Sequence, residues 1–411
     1  MTGTDGARLV SIGLSIARCE VIGCLLVMGC SPSSAPTSVA PTTTDHLTRE
    51  QLDQSLDLAR DYLLRQQTDR GDFHYQWHCL KGEWRDEPQA VRRAGAFWGV
   101  ALMHRYRPTD RTQDACQRAF QYYRDHSREV LPGVRFIDYP ETVHGETGTV
   151  ALVTLALIEL IRSEPSHPDT AAWRDQMRGH VEFLLRARQP NGHFASKYQP
   201  ETGIPFGDPS PYFDGEALLA LAKAARVLPR DDLAPLVVES AHQLYDAYGV
   251  QARRLEPDSP LTKAFYAWGT MAFLELYETG WSDTEPLATH AIELADWILD
   301  VHGISQRRRN TAYAYEGLGC AWELARRTGN QSAQKKIGQA IESGLVRLMT
   351  WQAGGPIPNE YLRQHAREIE ATQSAGGVMN GEANPLLRID VTQHQTHAML
   401  LVRQYLYTDK P

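Results

Sequence analysis

The sequence predicts an all-α fold: an (α/α)6 toroid of six helical hairpins, with short β-hairpins and long loops on one rim. Three observations predict it. From Thr48 onward, amphipathic helical segments alternate strictly with segments that are apolar nearly all round. The pairs recur at roughly sixty residues, the kind of period that marks a repeat architecture. A turn built on glycine and an apolar residue, aromatic in two of its three copies, comes back at close to two and three of those periods.

The amphipathic segments lie at 52–67, 113–130, 171–188, 233–248, 287–301 and 333–351. The apolar ones lie at 93–102, 147–157, 215–222, 266–274, 315–322 and 396–402, and are rich in Ala, Gly and Leu. A helix apolar on every side must be covered on every side, so these six belong inside the ring and the amphipathic six outside. Small residues let the inner helices approach closely. A closed ring also keeps the span 47–411 as one domain.

The repeated turn reads Gln67-Thr-Asp-Arg-Gly71-Asp-Phe73, Gln189-Pro-Asn-Gly192-His-Phe194 and, more weakly, Gln373-Ser-Ala-Gly376-Gly-Val378. Glycine permits the positive φ that ends a helix, and the residue two places on packs the following loop against the ring. These segments resemble the Gln-x-x-x-Gly-x-Trp/Phe turns of terpenoid cyclases and of other α/α toroids.

Ahead of the ring stands a different kind of sequence. An apolar stretch, 21–28, ends in Val27-Met-Gly-Cys30 and resembles a bacterial lipoprotein signal, which implies removal of residues 1–30 and acylation of Cys30. Residues 31–46 are dominated by Ser, Pro, Thr and Ala and read as a flexible tether. The expected location is the bacterial cell envelope, with the membrane reached through a lipid anchor. Of the remaining cysteines, Cys116 and Cys320 fall in apolar helical patterns and read as small buried residues, and three cysteines make no disulfide framework.

Composition excludes more than it assigns. Hydrophobic residues make up 42% and charged residues 22%, ordinary for a globular chain. No apolar run is long enough for a multi-spanning membrane protein. A net charge of −8 argues against gripping nucleic acid through the overall field. No nucleophile elbow, P-loop or dinucleotide fingerprint occurs, and no Cys/His cluster has ligand spacing, so neither cofactor nor metal is expected.

The long connections, 72–90, 132–143, 193–211, 251–260, 302–311 and 354–389, all lead from an outer helix to the next inner one, so they share a rim. Inner-helix N-termini point at that rim and favour anions there, which suits a uronate or another acidic substrate. Polar residues in the first turns of the inner helices are therefore the candidates. His144, Glu146, Asp214, Glu216, Glu316 and His394 are the proton-transfer candidates, because an unpaired carboxylate inside an apolar helix is costly. Asp214 and Glu216 cannot point the same way at their spacing, so one is expected to pair with a neighbouring helix while the other faces the funnel. Tyr212, Tyr266, Trp268, Tyr313, Tyr315 and His397 are the candidate sugar-binding residues. Asp390 with Gln393 reads as a capping box, and Arg307, Arg308 and Arg309 as cations able to neutralise a uronate.

The folded part resembles the carbohydrate-active six-hairpin toroids: unsaturated-uronyl hydrolases, α/α polysaccharide lyases and glucuronyl epimerase catalytic domains. That resemblance implies a carbohydrate substrate and acid/base chemistry, whether hydrolase, lyase or epimerase. It is architectural and carries over no active site. The alternative is a non-catalytic lipoprotein that binds glycan or peptide in the same funnel, or scaffolds an envelope assembly.

Overall fold

The computed structural model describes residues 47–140, 142–228 and 230–408. Cys30, the 1–30 leader and the 31–46 tether lie outside them. Among the described residues, no helix is long and apolar enough to cross a membrane.

The helices form six hairpins. They are α1 (Arg49–Arg65) with α2 (Ala90–Tyr106), α3 (Asp110–Asp125) with α4 (Thr147–Ser163), and α5 (Thr170–Ala187) with α6 (Pro211–Ala225). Then α7 (Leu233–Leu244) runs through a π-helical stretch, Tyr245–Gln251, into the short α8 (Ala252–Leu255) and is followed by α9 (Pro260–Tyr277). Next come α10 (Pro286–Asp300) with α11 (Ala312–Arg327), and α12 (Gln331–Met349), whose long loop carries α13 (Glu360–Gln364) and α14 (Ala371–Ser374) before α15 (Ile389–Tyr405). The inner helices touch in the order α2, α4, α6, α9, α11, α15 and back to α2, so the ring is closed. Every residue of α4 from Thr147 to Ile161 is buried. Inner-helix glycines set the close approaches: Gly215 lies against Trp268, and Gly317 against Tyr266.

Three small sheets decorate the rim: β1 (Gln76–His78) and β2 (Glu83–Trp84), β3 (Ser127–Leu131) with β4 (Val134–Ile137), β5 (Gly145–Glu146), β6 (Lys197–Tyr198) with β7 (Pro205–Phe206), and β8 (Leu386–Arg388), which pairs with β1. The β1–β8 pair ties the first rim loop to the last. The β3–β4 hairpin corrects the expected helix over 113–130. The helix stops at Asp125, and Arg128, Glu129 and Leu131 leave it for an antiparallel pair with 134–137.

The repeated turn has a common construction. Gly71, Gly192 and Gly376 take φ of 98°, 83° and 87°. Each presses on the next outer helix around the ring, where a Cβ would meet Arg118 O, Gln243 Oε1 or Leu58 O at 2.4 Å or less. Four residues before the first glycine, Gln67 sends its amide to Ala115 O at 2.8 Å. In the third copy Gln352 does the same to Ser55 O at 2.9 Å. Gln352, not Gln373, is therefore the counterpart of Gln67, and an excursion holding α13 and α14 separates it from its glycine. In the second copy the place belongs to Arg188, which donates to Ser240 Oγ at 2.6 Å, rather than to Gln189. Backbone bridges Gln67–Phe73, Arg188–Phe194 and Gln352–Val378 close the three turns alike.

Cys79, Cys116 and Cys320 are buried and unbridged.

Candidate functional site

A cavity of about 820 Å³ opens among the inner-helix N-termini. Trp268 lines it and belongs to an aromatic cluster. Trp98 on α2 and Trp268 on α9 belong to opposite helices of the ring, yet their ring centroids are 5.6 Å apart. The His397 ring packs edge-on against Trp98 at 4.7 Å, and His394 against Trp268 at 5.8 Å. Trp98 itself is fully buried outside the lining.

One wall carries two carboxyl groups on neighbouring helices. Glu146 is the N-cap residue of α4, and Glu216 lies in the second turn of α6. Glu216 is only 4% exposed, and its Oε2 is buried without a hydrogen-bond partner. Gly148 makes room for it: a Cβ there would lie 2.3 Å from Oε2. Burial pushes the Glu216 carboxyl well above the usual carboxylate range, and the charge of Glu146 pushes it further. Burial raises Glu146 too, against the pull of Lys197 and Arg92.

The facing wall is built by α11 and α15, which lie across the ring from α4 and α6. Glu316 is fully buried and accepts from His394 Nδ1 at 2.7 Å and from His397 Nδ1 at 3.0 Å. Burial alone would raise Glu316, but the two imidazoles outweigh it and the net shift is downward. His394 is the mirror case: burial lowers it, Glu316 more than compensates, and the net shift is upward. With Nδ1 given to Glu316, the other nitrogen of His394 stands on the cavity wall. The pairing of His394 with His397, one turn apart, thus serves a shared carboxylate.

The rest of the lining is basic. Arg92, Lys263, Arg307, Arg309 and Arg388 line the cavity with three carboxyl groups, Glu146, Glu216 and Asp390. Asp390 does not cap α15, whose N-cap is Arg388 without a side-chain cap bond. Instead Asp390 accepts from Arg388 Nε at 3.0 Å and pairs with Arg92 Nε at 3.1 Å. The expected capping box is therefore absent. At the mouth, His302 Nδ1 meets Asp258 Oδ1 at 2.6 Å, and Arg307 donates to the other Asp258 oxygen at 2.9 Å.

The sequence candidates divide clearly. Glu146, Glu216, His394, Tyr212, Trp268 and Tyr313 line the cavity. Glu316 and His397 stand behind His394. Asp214 is fully buried outside the lining, accepting from Phe194 N at 2.8 Å, Tyr248 Oη at 2.6 Å and His193 Nδ1 at 2.7 Å, so it anchors the second glycine turn. His144 is exposed, edge-on to Phe206 at 5.2 Å. Tyr266 is buried with its hydroxyl on Ala314 O, and Tyr315 is buried against Gly344. Arg92, Arg388, Lys263 and His302 were not among the candidates. Lys263 alone carried a signal, a cation in the first turns of an apolar helix, where the dipole disfavours it.

No family model matches the chain, and no curated protein matches it. Solved structures do. It is similar to a sugar epimerase from a ruminal bacterium, with a TM-score of 0.60 at 9% identity over 86% of this chain and 98% of that one. It is similar to a D-mannose isomerase, at 0.61 and 12% over 90% and 100%. An unsaturated glucuronyl hydrolase specific for heparin matches at 0.59 and 11% over 88% and 99%. At such identities the likeness establishes the shared (α/α)6 ring.

Proposed function

We propose that the protein is a carbohydrate-acting enzyme that moves protons within this cavity, with His394 as base and Glu216 as acid. The observation that carries this reading is a buried carboxyl without a hydrogen-bond partner, Glu216, facing across the ring an imidazole held by the buried carboxylate of Glu316. Glu316 fixes the His394 tautomer and stabilises the imidazolium that forms when His394 takes a proton. Glu216 is positioned to return a proton from the other wall. Such a pair suits abstraction and return at a sugar carbon next to a carbonyl, the chemistry of an epimerase or isomerase. The epimerase and isomerase among the structurally similar proteins support a sugar as substrate. A second reading, hydrolysis, is favoured by one observation: Glu146 and Glu216 are adjacent carboxyl groups whose charges interact, and one acid with one carboxylate is what glycoside hydrolysis uses.

The test is a panel of neutral and acidic sugars, read for solvent deuterium entering a C–H bond, for new reducing ends and for unsaturated products. Deuterium entry is the expected result, and reducing ends alone would select hydrolysis. On the active substrate, Glu216→Gln and His394→Gln should each lower turnover about a hundred- to ten-thousand-fold. If both variants keep full turnover, His394 and Glu216 are not the proton-transfer pair; if no sugar of the panel is turned over, binding without catalysis replaces this reading. The N-terminal sequence adds the proposal that the enzyme is anchored in the cell envelope through lipidated Cys30. Cys30→Ala should then release it from membranes, and unchanged fractionation would rule the anchor out.

A further inference from the structure

We infer that the substrate carries an anionic group, a carboxylate or a phosphate, and that Lys263 and Arg309 at the mouth of the cavity bind it. The inference rests on the carbohydrate reading and specifies the class of sugar. Its first support is charge. The whole chain carries −8, yet five cations and three carboxyl groups line this one cavity, and burial pushes the Glu216 carboxyl above its usual range.

The second support is pairing. Arg92 and Arg388 share Asp390, and Arg307 uses Asp258. Among the described residues, neither Lys263 nor Arg309 has a carboxylate partner. Lys263 is instead held by aromatic rings: its Nζ lies 4.5 Å from the Tyr313 centroid and 5.1 Å from that of Tyr212, and it donates to Tyr212 Oη at 2.6 Å. That cradle fixes the ammonium without neutralising it and leaves N–H donors to spare. Third, Lys263 occupies the first turns of α9, where the helix dipole opposes a cation. A bound anion removes that conflict and gains the N-terminal ends of α9 and α11, which are neighbours in the ring. The tyrosine rings beside the ammonium offer the apolar faces on which the sugar itself can lie.

Calorimetric titration of the full chain with glucose, glucuronate and glucose 6-phosphate tests this, on the wild type and on Lys263→Gln, Lys263→Arg and Arg309→Gln. At least one acidic sugar should bind about tenfold or more tightly than glucose, the gain expected of a charge-assisted hydrogen bond. Which of the two does so identifies carboxylate or phosphate. Lys263→Gln should abolish the preference, Lys263→Arg should keep most of it, and Arg309→Gln should reduce it. Equal binding of acidic and neutral sugars, no binding of either acidic sugar, or a preference that survives both glutamine variants would overturn the inference. Each of these outcomes leaves the His394–Glu216 reading standing, since that is judged by turnover.

Discussion

Glu216 and Lys223 lie two turns apart on α6, both buried, at opposite ends of the ring. At the C-terminal end of α6, Lys223 Nζ meets Glu159 Oε1 at 2.6 Å and Glu275 Oε1 at 3.3 Å. Arg105 completes Glu159, while Arg162 and Arg226 complete Glu275. Burial would raise both carboxyl groups, but the surrounding cations outweigh it: Glu159 is driven far down, and Glu275 falls to about 2. The cations also sit at helix C-terminal ends, where the dipole favours them. At the open end, Glu216 has burial without a partner and is driven the other way. Where buried charge is compensated, it holds four helices together, α2, α4, α6 and α9. Where a buried carboxyl is left without a partner, burial drives it toward the neutral form, and the proposed reading has the substrate meet it.

The largest effect expected of this contrast comes from breaking the compensated end. Lys223→Met removes the cation between Glu159 and Glu275 and leaves two buried carboxylates facing each other. Unfolding free energy should fall by about 3–5 kcal/mol, the cost of stripping one partner from a buried ion pair. Turnover per folded molecule should be unchanged. Denaturant titration beside a turnover assay measures both, and a variant as stable as the wild type would mean the network is solvated.

Much of this was legible in the sequence, and the residues missed share a physical cause. Helical periodicity and Ala/Gly-rich segments marked all twelve ring helices because burial on one side or on all sides writes itself into local spacing. The glycine turns were visible because a positive φ has few tenants. Pairing across the chain leaves no local trace. Gln352 could not be matched to Gly376 through the α13–α14 excursion, and Gln373 stood nearer in sequence. Likewise Arg128 to Leu131 continue an amphipathic pattern as well as they pair with Val134 to Ile137. At the site, spacing alone indicated that Asp214 and Glu216 face different ways. Which of them faced the cavity depended on Tyr248 and His193, distant residues that claim Asp214.

Asp214 and Glu216 give the next test. Asp214 accepts from three donors, so an amide in its place sets a donor against a donor. Asp214→Asn should lower stability by about 1–3 kcal/mol, the cost of disturbing buried hydrogen bonds, and leave turnover per folded molecule intact. A turnover loss without a shift in thermal midpoint would return Asp214 to the catalytic set and erase the distinction between the two carboxyl groups.

The smallest effect has the opposite sign. Glu216 is raised in the folded protein relative to an unfolded chain, where its carboxyl titrates near the ordinary value of about 4.3. Between the two values the native state holds a proton that the unfolded state has released. Stability therefore falls as pH rises through that window. Glu216→Gln has no such proton to hold. Near neutral pH the variant should be more stable than the wild type, by something on the order of 1 kcal/mol, while its turnover collapses. As pH is lowered toward the unfolded value, both states of the wild type become protonated and the gap should close. Thermal midpoints of the pair across pH 4 to 7 measure it. A gap that stays constant with pH would show that Glu216 titrates normally, and the uncompensated end of the ring would then be no different from the compensated one.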